Sequence, residues 1–150
     1  MNTFSQILPS HHRHCDELFV AAEESARSGD WPGAKFRLGR FIQQMQAHFE
    51  AEENVLFPAF ETTTGVTQGP TRVMCLEHEQ MRSLLAQLRT ACENQHIENY
   101  EGAAETLLLL MQQHNMKEEN ILYPMCDQAL VAEAAAIASR IQALLAEEHD

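Results

Sequence analysis

The chain is poor in basic residues, in strand patterns and in long apolar runs. Ten Lys and Arg stand against 22 Asp and Glu, a formal net charge of −12. That balance argues against nucleic acid and against membrane surfaces as partners, because both need a basic patch. The densest apolar run, Leu107 to Met111, falls far short of the ~20 residues of a membrane span. Met1 to Ser10 has neither the basic start nor the apolar stretch of a secretory signal. The four cysteines, Cys15, Cys75, Cys92 and Cys126, form no Cys-x-x-Cys pair. They read as reduced thiols, and the expected location is cytoplasmic.

What the chain does have is enough apolar material, 45% of its 150 residues, for one domain with a single core. It also has a pattern that occurs twice. His12 is followed by His48-x-x-x-Glu52-Glu53-Asn54-Val55-Leu56-Phe57-Pro58. His78 is followed by His114-x-x-x-Glu118-Glu119-Asn120-Ile121-Leu122-Tyr123-Pro124. Every paired position is offset by 66 residues. The chain therefore reads as two copies of one helical hairpin.

Helical periodicity places the copies. A first helix is expected from about Ser10 to Ser28, ended by Gly29. Asp30 caps the second, with Pro32 in its first turn. Leu38, Phe41, Met45, His48, Glu52 and Val55 share its inner face, and Pro58 is expected to stop it. Residues 61–69 form the longest loop. Pro70 opens the third helix, whose inner face runs Met74, His78, Met81, Leu85 and Leu88. The fourth runs Leu107, Met111, His114, Glu118 and Ile121, and stops near Pro124. An alanine-rich fifth segment, residues 127–148, lies outside the duplication, with Leu130, Ala134, Ile137, Ile141 and Leu145 on one face. The expected architecture is all-α: an up-down-up-down four-helix bundle from hairpins 10–58 and 70–124, plus a C-terminal helix. That helix is also the surface expected to carry a homodimer.

Residues four apart on a helix lie one turn apart on the same face. His48 and Glu52 therefore point together into the core, as do His114 and Glu118. His12 and His78 fall in register with the inward residues Cys15, Phe19, Met81 and Leu85. One inward His is an ordinary core residue. Six polar groups at one level are not, since each buried without a partner costs about 1–3 kcal/mol and facing carboxylates repel unless cations neutralise them. Imidazole with carboxylate suits iron, manganese or zinc, and six ligands suit two ions. Two histidines on each ion, with both carboxylates bridging, leave an open position on each for dioxygen, nitric oxide or peroxide. The register selects His12 among His11, His12 and His14, with His14 the rival. Glu53 and Glu119 point one step off the inner face and read as flanking or solvated positions, with hydrogen bonding to the back of a ligand the lesser alternative. His96 and His149 read as solvated. Met45, Met111, Cys15 and Met81 repeat around the site and read as core-filling sulfur, with a redox-sensitive lining the alternative. No general acid or base can be picked out.

At these residues, over about Ser10 to Pro124, the chain resembles the hemerythrin-like HHE cation-binding family. The resemblance rests on His48-x-x-x-Glu52-Glu53 with Leu56-Phe57-Pro58, on the repeat at His114 to Pro124, and on Glu77-His78. It implies a four-helix bundle around a non-haem di-iron centre with an oxo or hydroxo bridge. His12, His48, His78 and His114 would be terminal ligands, and Glu52 and Glu118 bridges. Oxygen carriers of the family have a further His where this chain has Met74, and an Asp five residues after the fourth-helix His rather than Glu118 at four. The ligand set looks more like the di-iron domain of iron-centre repair proteins, and the chain is expected to be that domain without their additional N-terminal segment. Three functions are therefore expected: binding or sensing of a small diatomic or peroxide ligand, repair or peroxide handling, and a helical interaction module with a structural metal.

Overall fold

The computed structural model describes residues 3–146, and no strand occurs among them. Helix α1 spans Phe4–Arg27. Helix α2 spans residues 31–64: an α-helical part Trp31–Ala51, one π-helical turn Glu52–Leu56, and a continuation Phe57–Thr64. Helix α3 spans Pro70–Glu93. Helix α4 repeats the form of α2 over residues 97–129, as Ile97–Lys117, a π turn Glu118–Leu122, and Tyr123–Ala129. Helix α5 is Ala134–Ala146. The helices pack chiefly as α1 on α2 and α3 on α4, and the two hairpins close on each other through α2 with α3 and α1 with α4. This is the four-helix bundle with a fifth helix.

The duplication holds element by element. Shifted by 66 residues, α1 superposes in sequence on α3, and the first part of α2 on that of α4, end for end. The two corners are also the same. Gly29 N–H donates to Ala26 O and Asp30 N–H to Ser25 O; Gln95 N–H donates to Cys92 O and His96 N–H to Ala91 O. Both are Schellman closures, which need a left-handed residue after the cap. Gly29 (φ 79°) and Gln95 (φ 52°) supply it. The next helix is then capped by Asp30, which accepts from Gly33 N–H at 3.0 Å, and by His96, which accepts from Asn99 N–H at 3.1 Å. His96 is exposed, as expected, but holds this cap; His149 lies outside the described residues.

Several helix bounds differ from those expected, each for a local reason. Helix α1 starts at Phe4 rather than Ser10 and carries Pro9 inside it. Its start is fastened by Asp127, which accepts from Phe4 N–H at 2.8 Å and from Ser5 Oγ at 2.6 Å. A carboxylate at a helix N-terminus satisfies free N–H groups and complements the helix dipole. Pro58 does not stop α2, nor Pro124 α4. In an α-helix a proline lacks one N–H and its ring meets the carbonyl four residues back. Here the π turn just before each proline widens that ladder, with Phe57 N–H bonded to Glu52 O and Tyr123 N–H to Glu118 O. The loop after α2 shrinks to residues 65–69, and Gly65 (φ 75°) terminates the helix. The fifth segment is not one helix over 127–148. Residues to 129 extend α4, residues 130–133 turn, and α5 ends at 146 within the described chain.

Two apolar clusters fill the interior. One lies towards the corners between paired helices and holds Phe19, Leu38, Phe41, Met81, Leu88 and Leu107, with Cys15, Met45 and Met111 among them. The other holds Phe4, Leu8, Leu56, Phe57, Phe60, Met74, Tyr123, Ile137 and Ile141. Burial of these side chains supplies the main stabilisation, about 1.5–3 kcal/mol for each large one. Helix α5 packs across α2 at its π turn and against α1. Its apolar face, expected to carry a homodimer, is thus covered within the chain: Ile137, Ala138 and Ile141 are buried. No helix among the described residues is long and apolar enough to cross a membrane.

Candidate metal centre

Between the two apolar clusters lies a layer of buried polar side chains: His12, His48, Glu52, His78, His114 and Glu118. Both glutamates are fully buried, at 0% exposure. Helix α1 brings His12, α2 brings His48 and Glu52, α3 brings His78, and α4 brings His114 and Glu118. Two donor groups result. His78, His114, Glu52 and Glu118 offer atoms all within 4.8 Å of one another, and so do His12, His48 and Glu118. Each pair of histidines comes from one hairpin. Glu52 reaches both groups, with Oε1 3.0 Å from His78 Nε2 and Oε2 3.4 Å from His48 Nε2. Glu118 Oε1 stands 3.1 Å from His12 Nε2 and 3.2 Å from His114 Nε2. His14 is only half-buried and lies outside this layer.

The far side of each imidazole is held by a partner. His12 Nδ1 lies 2.7 Å from Glu119 Oε2, and His78 Nδ1 lies 2.7 Å from Glu53 Oε2. These contacts cross between hairpins, each glutamate serving a histidine of the other copy. His114 Nδ1 lies 2.8 Å from Glu77 Oε1, whose other oxygen accepts from Lys117. The carboxylates accept, so these three Nδ1 atoms carry protons and the Nε2 atoms face the centre. His48 differs. Its Nδ1 is 2.9 Å from Nδ1 of buried His11, whose Nε2 is 2.8 Å from Gln44 Oε1. With the Gln44 carbonyl accepting from His11 Nε2–H, His11 Nδ1 accepts from His48 Nδ1–H. His48 Nε2 is again turned inward with its lone pair. Burial, then His48, lowers His11 to about 4, so it stays neutral.

The layer is arranged for positive charge. Glu52 Oε1, His78 Nε2, His114 Nε2 and Glu118 Oε2 are buried and, beyond the contacts within this layer, have no hydrogen-bond partner among the described residues. Leaving such atoms unmatched costs about 1–3 kcal/mol each, and a cation matches all of them. Imidazole nitrogens and carboxylate oxygens in this number suit iron, manganese or zinc. Where protons must supply the charge, the titration reflects it. Burial works against a charged His78, but Glu52 and Glu53 hold it at about 9. Burial likewise opposes Glu53, but His78 and Arg82 bring it to about 2. Arg82 binds Glu53 with both terminal nitrogens, at 3.0 and 2.9 Å.

The six side chains expected to face inward are all buried, while other positions differ from the α-helical expectation. For Glu53 and Glu119 the lesser alternative holds, since each meets a buried histidine rather than solvent alone. Ile121 is 56% exposed where the inner face is expected, and Leu122, at 1%, takes the inward place. The π turn shifts the register there, whereas Val55, at the matching position, is covered by α5. Tyr123 is the largest omission. A turn widened to i→i+5 brings residue 123 beneath Glu118, and its hydroxyl enters the polar layer. It donates to Glu52 Oε2 at 2.6 Å and stands 2.9 Å from Glu118 Oε1. Only the Phe57/Tyr123 difference between the copies signals it in the sequence. Met74, where oxygen carriers have a His, is buried in apolar surroundings with Leu8.

The chain is 30% identical over 132 residues to the iron-sulfur cluster repair protein YtfE of Edwardsiella ictaluri; the match covers 76% of this chain and 59% of that protein. It therefore spans less than two thirds of that relative's length. No solved structure shows a significant match. Residues 3–126 match the hemerythrin HHE cation binding domain, a span that takes in all six buried ligand-type side chains and both π turns. On that match, the chain belongs to the hemerythrin HHE family and is a metal-binding protein.

Proposed function

We propose that this chain holds two iron ions and binds a small diatomic or peroxide ligand at them. His12 and His48 would hold one ion, His78 and His114 the other, with Glu52 and Glu118 bridging. The observation that carries this reading is the convergence of four imidazole Nε2 atoms and two fully buried carboxylates, several without any other partner. A di-iron centre supplies redox change and an exchangeable coordination position. The protein supplies the rest: fixed imidazole tautomers, two carboxylates held between the hairpins, and apolar packing on both sides. Manganese or zinc suits the same donors. The four free thiols suit a reducing compartment such as the cytoplasm.

Metal analysis of protein purified without added metal tests the reading. Two iron ions per chain are expected, with His48→Ala and His114→Ala each losing metal. Adding nitric oxide or dioxygen to the reduced protein is expected to change the optical spectrum. Fewer than two metals, or a spectrum indifferent to both gases, would count against it.

A second reading is favoured by the relative named for iron–sulfur cluster repair. In it, the centre gives up iron to a damaged cluster. Incubating the iron-loaded protein with an apo-ferredoxin, inorganic sulfide and a thiol reductant would then restore the cluster faster than free iron at equal concentration with the same sulfide and reductant. Iron retained against that acceptor would discard this reading and leave the first.

A further inference from the structure

We propose that Tyr123 donates its side-chain oxygen to the metal position built by His12 and His48, and that the His78/His114 position has no such donor. This rests on the two-metal reading above. Metals of this class bind N and O donors at about 2.1 Å, so neighbouring donors on one ion stand about 3 Å apart. Tyr123 Oη is 2.6 Å from Glu52 Oε2, 2.9 Å from Glu118 Oε1, and 3.3 Å from both His12 Nε2 and His48 Nε2. His12, His48 and Glu118 form one donor group, and Glu52 Oε2 reaches it at 3.4 Å from His48 Nε2. An oxygen at near-equal distance from all four is where a fifth donor caps them. A hydroxyl serving only to brace one carboxylate would approach that oxygen and stay clear of both imidazoles.

The other half provides the contrast. Phe57 stands 66 residues before Tyr123, follows its own π turn, and lies stacked towards His78 with ring centroids 6.1 Å apart. It has no oxygen to give. The two metal positions are therefore unequal. One is closed by Tyr123, and the exchangeable position belongs to the His78/His114 side. On metal entry the phenolic proton passes to solvent, and the oxygen lone pair makes the bond.

Ferric iron bound by a phenolate shows a strong visible charge-transfer band. Excitation in that band enhances phenolate ring modes in the resonance Raman spectrum. Wild-type protein carrying two ferric ions is expected to show both, and Tyr123→Phe with the same metal count to lose both. Ring-deuterated tyrosine incorporated into wild-type protein is expected to shift the modes and needs no variant to fold. Phenolate modes persisting in Tyr123→Phe, or a wild-type protein with two ferric ions and no such modes, would overturn the proposal. The metal count alone judges the two-metal reading, so the two fail separately.

Discussion

Glu77 and His11 occupy matching places in the two halves and do the same task with opposite chemistry. Glu77 meets Nδ1 of His114 at 2.8 Å as an anion, paired also with Lys117. His11 meets Nδ1 of His48 at 2.9 Å as a neutral ring, oriented by Gln44. A carboxylate behind a metal-binding imidazole fixes its tautomer and raises its basicity. Glu77→Ala is therefore expected to weaken metal binding at the His78/His114 position about 10- to 100-fold. Competition with a calibrated chelator measures it, and unchanged affinity would refute the role.

Glu53 is expected to act on the same position from the other hairpin. Glu53→Ala should lower metal affinity by a similar 10- to 100-fold and also strip Arg82 of its bidentate partner. Glu53 has its carboxyl lowered from 4.5 to about 2. Its contribution to stability is thus complete above pH 4.5 and lost as pH falls through about 2. Acid unfolding of wild type and Glu53→Gln, followed by circular dichroism, should converge at the low end of that window.

Metal uptake should release protons. His78, raised from 6.5 to about 9 in the metal-free state, keeps a proton at neutral pH that a metal must displace. The stabilisation this proton gives the metal-free protein is full below pH 6.5 and disappears as pH rises through about 9. Apparent metal affinity should therefore climb with pH until about 9. Titration in weak buffer with an indicator dye reads the protons directly, and uptake without proton release would contradict it.

Gln95→Gly should stabilise the fold. Gln95 holds φ 52° at a corner where its counterpart is Gly29, and the left-handed region costs a side chain about 1–2 kcal/mol. A gain of about 1 kcal/mol is expected after the added freedom of glycine in the unfolded chain is counted. Gly29→Ala, with open space around it but φ 79°, should lose about as much. Melting temperatures of both variants decide it.

The thiols should be sluggish. Burial first, then neighbouring carboxylates, raises Cys15 to about 12 and Cys75 to about 11, and pushes Cys126 up as well. Thiolate is the reactive form, so a disulfide reagent at pH 8 should modify native protein at least tenfold more slowly than unfolded protein. Prompt reaction of all four thiols would show that the core opens readily.

The sequence made much of this centre legible because helical spacing and the internal repeat agree. His48 with Glu52, His114 with Glu118, and the lone His12 and His78 need only a 3.6-residue period and an offset of 66 to converge. Asp30, Pro32 and Gly29 mark their corner by local chemistry alone. What escaped is what a single helix cannot display. Glu53 and Glu119 are off-face on their own helices and become meaningful only when the other hairpin arrives with His78 and His12. α-Helical spacing puts Ile121 inward and passes over Tyr123, and one widened turn rotates Ile121 outward and brings the Tyr123 hydroxyl into the polar layer. Phe4 and Leu8 joined α1 because Asp127, far away in the chain, holds its first N–H groups.

The near-congruence of the halves has a practical consequence. Each hairpin is a built-in reference for the other: matching helix bounds, matching π turns and the same ligand types at the centre, carried on otherwise different side chains. Exchanging residues between matching positions, Phe57 with Tyr123 or His11 with Glu77, turns the protein into its own mirror experiment. A property that moves to the opposite half with the exchanged side chain belongs to that side chain. A property that stays put belongs to the surroundings, of which α5, packed on one half's π turn, is the part without a counterpart.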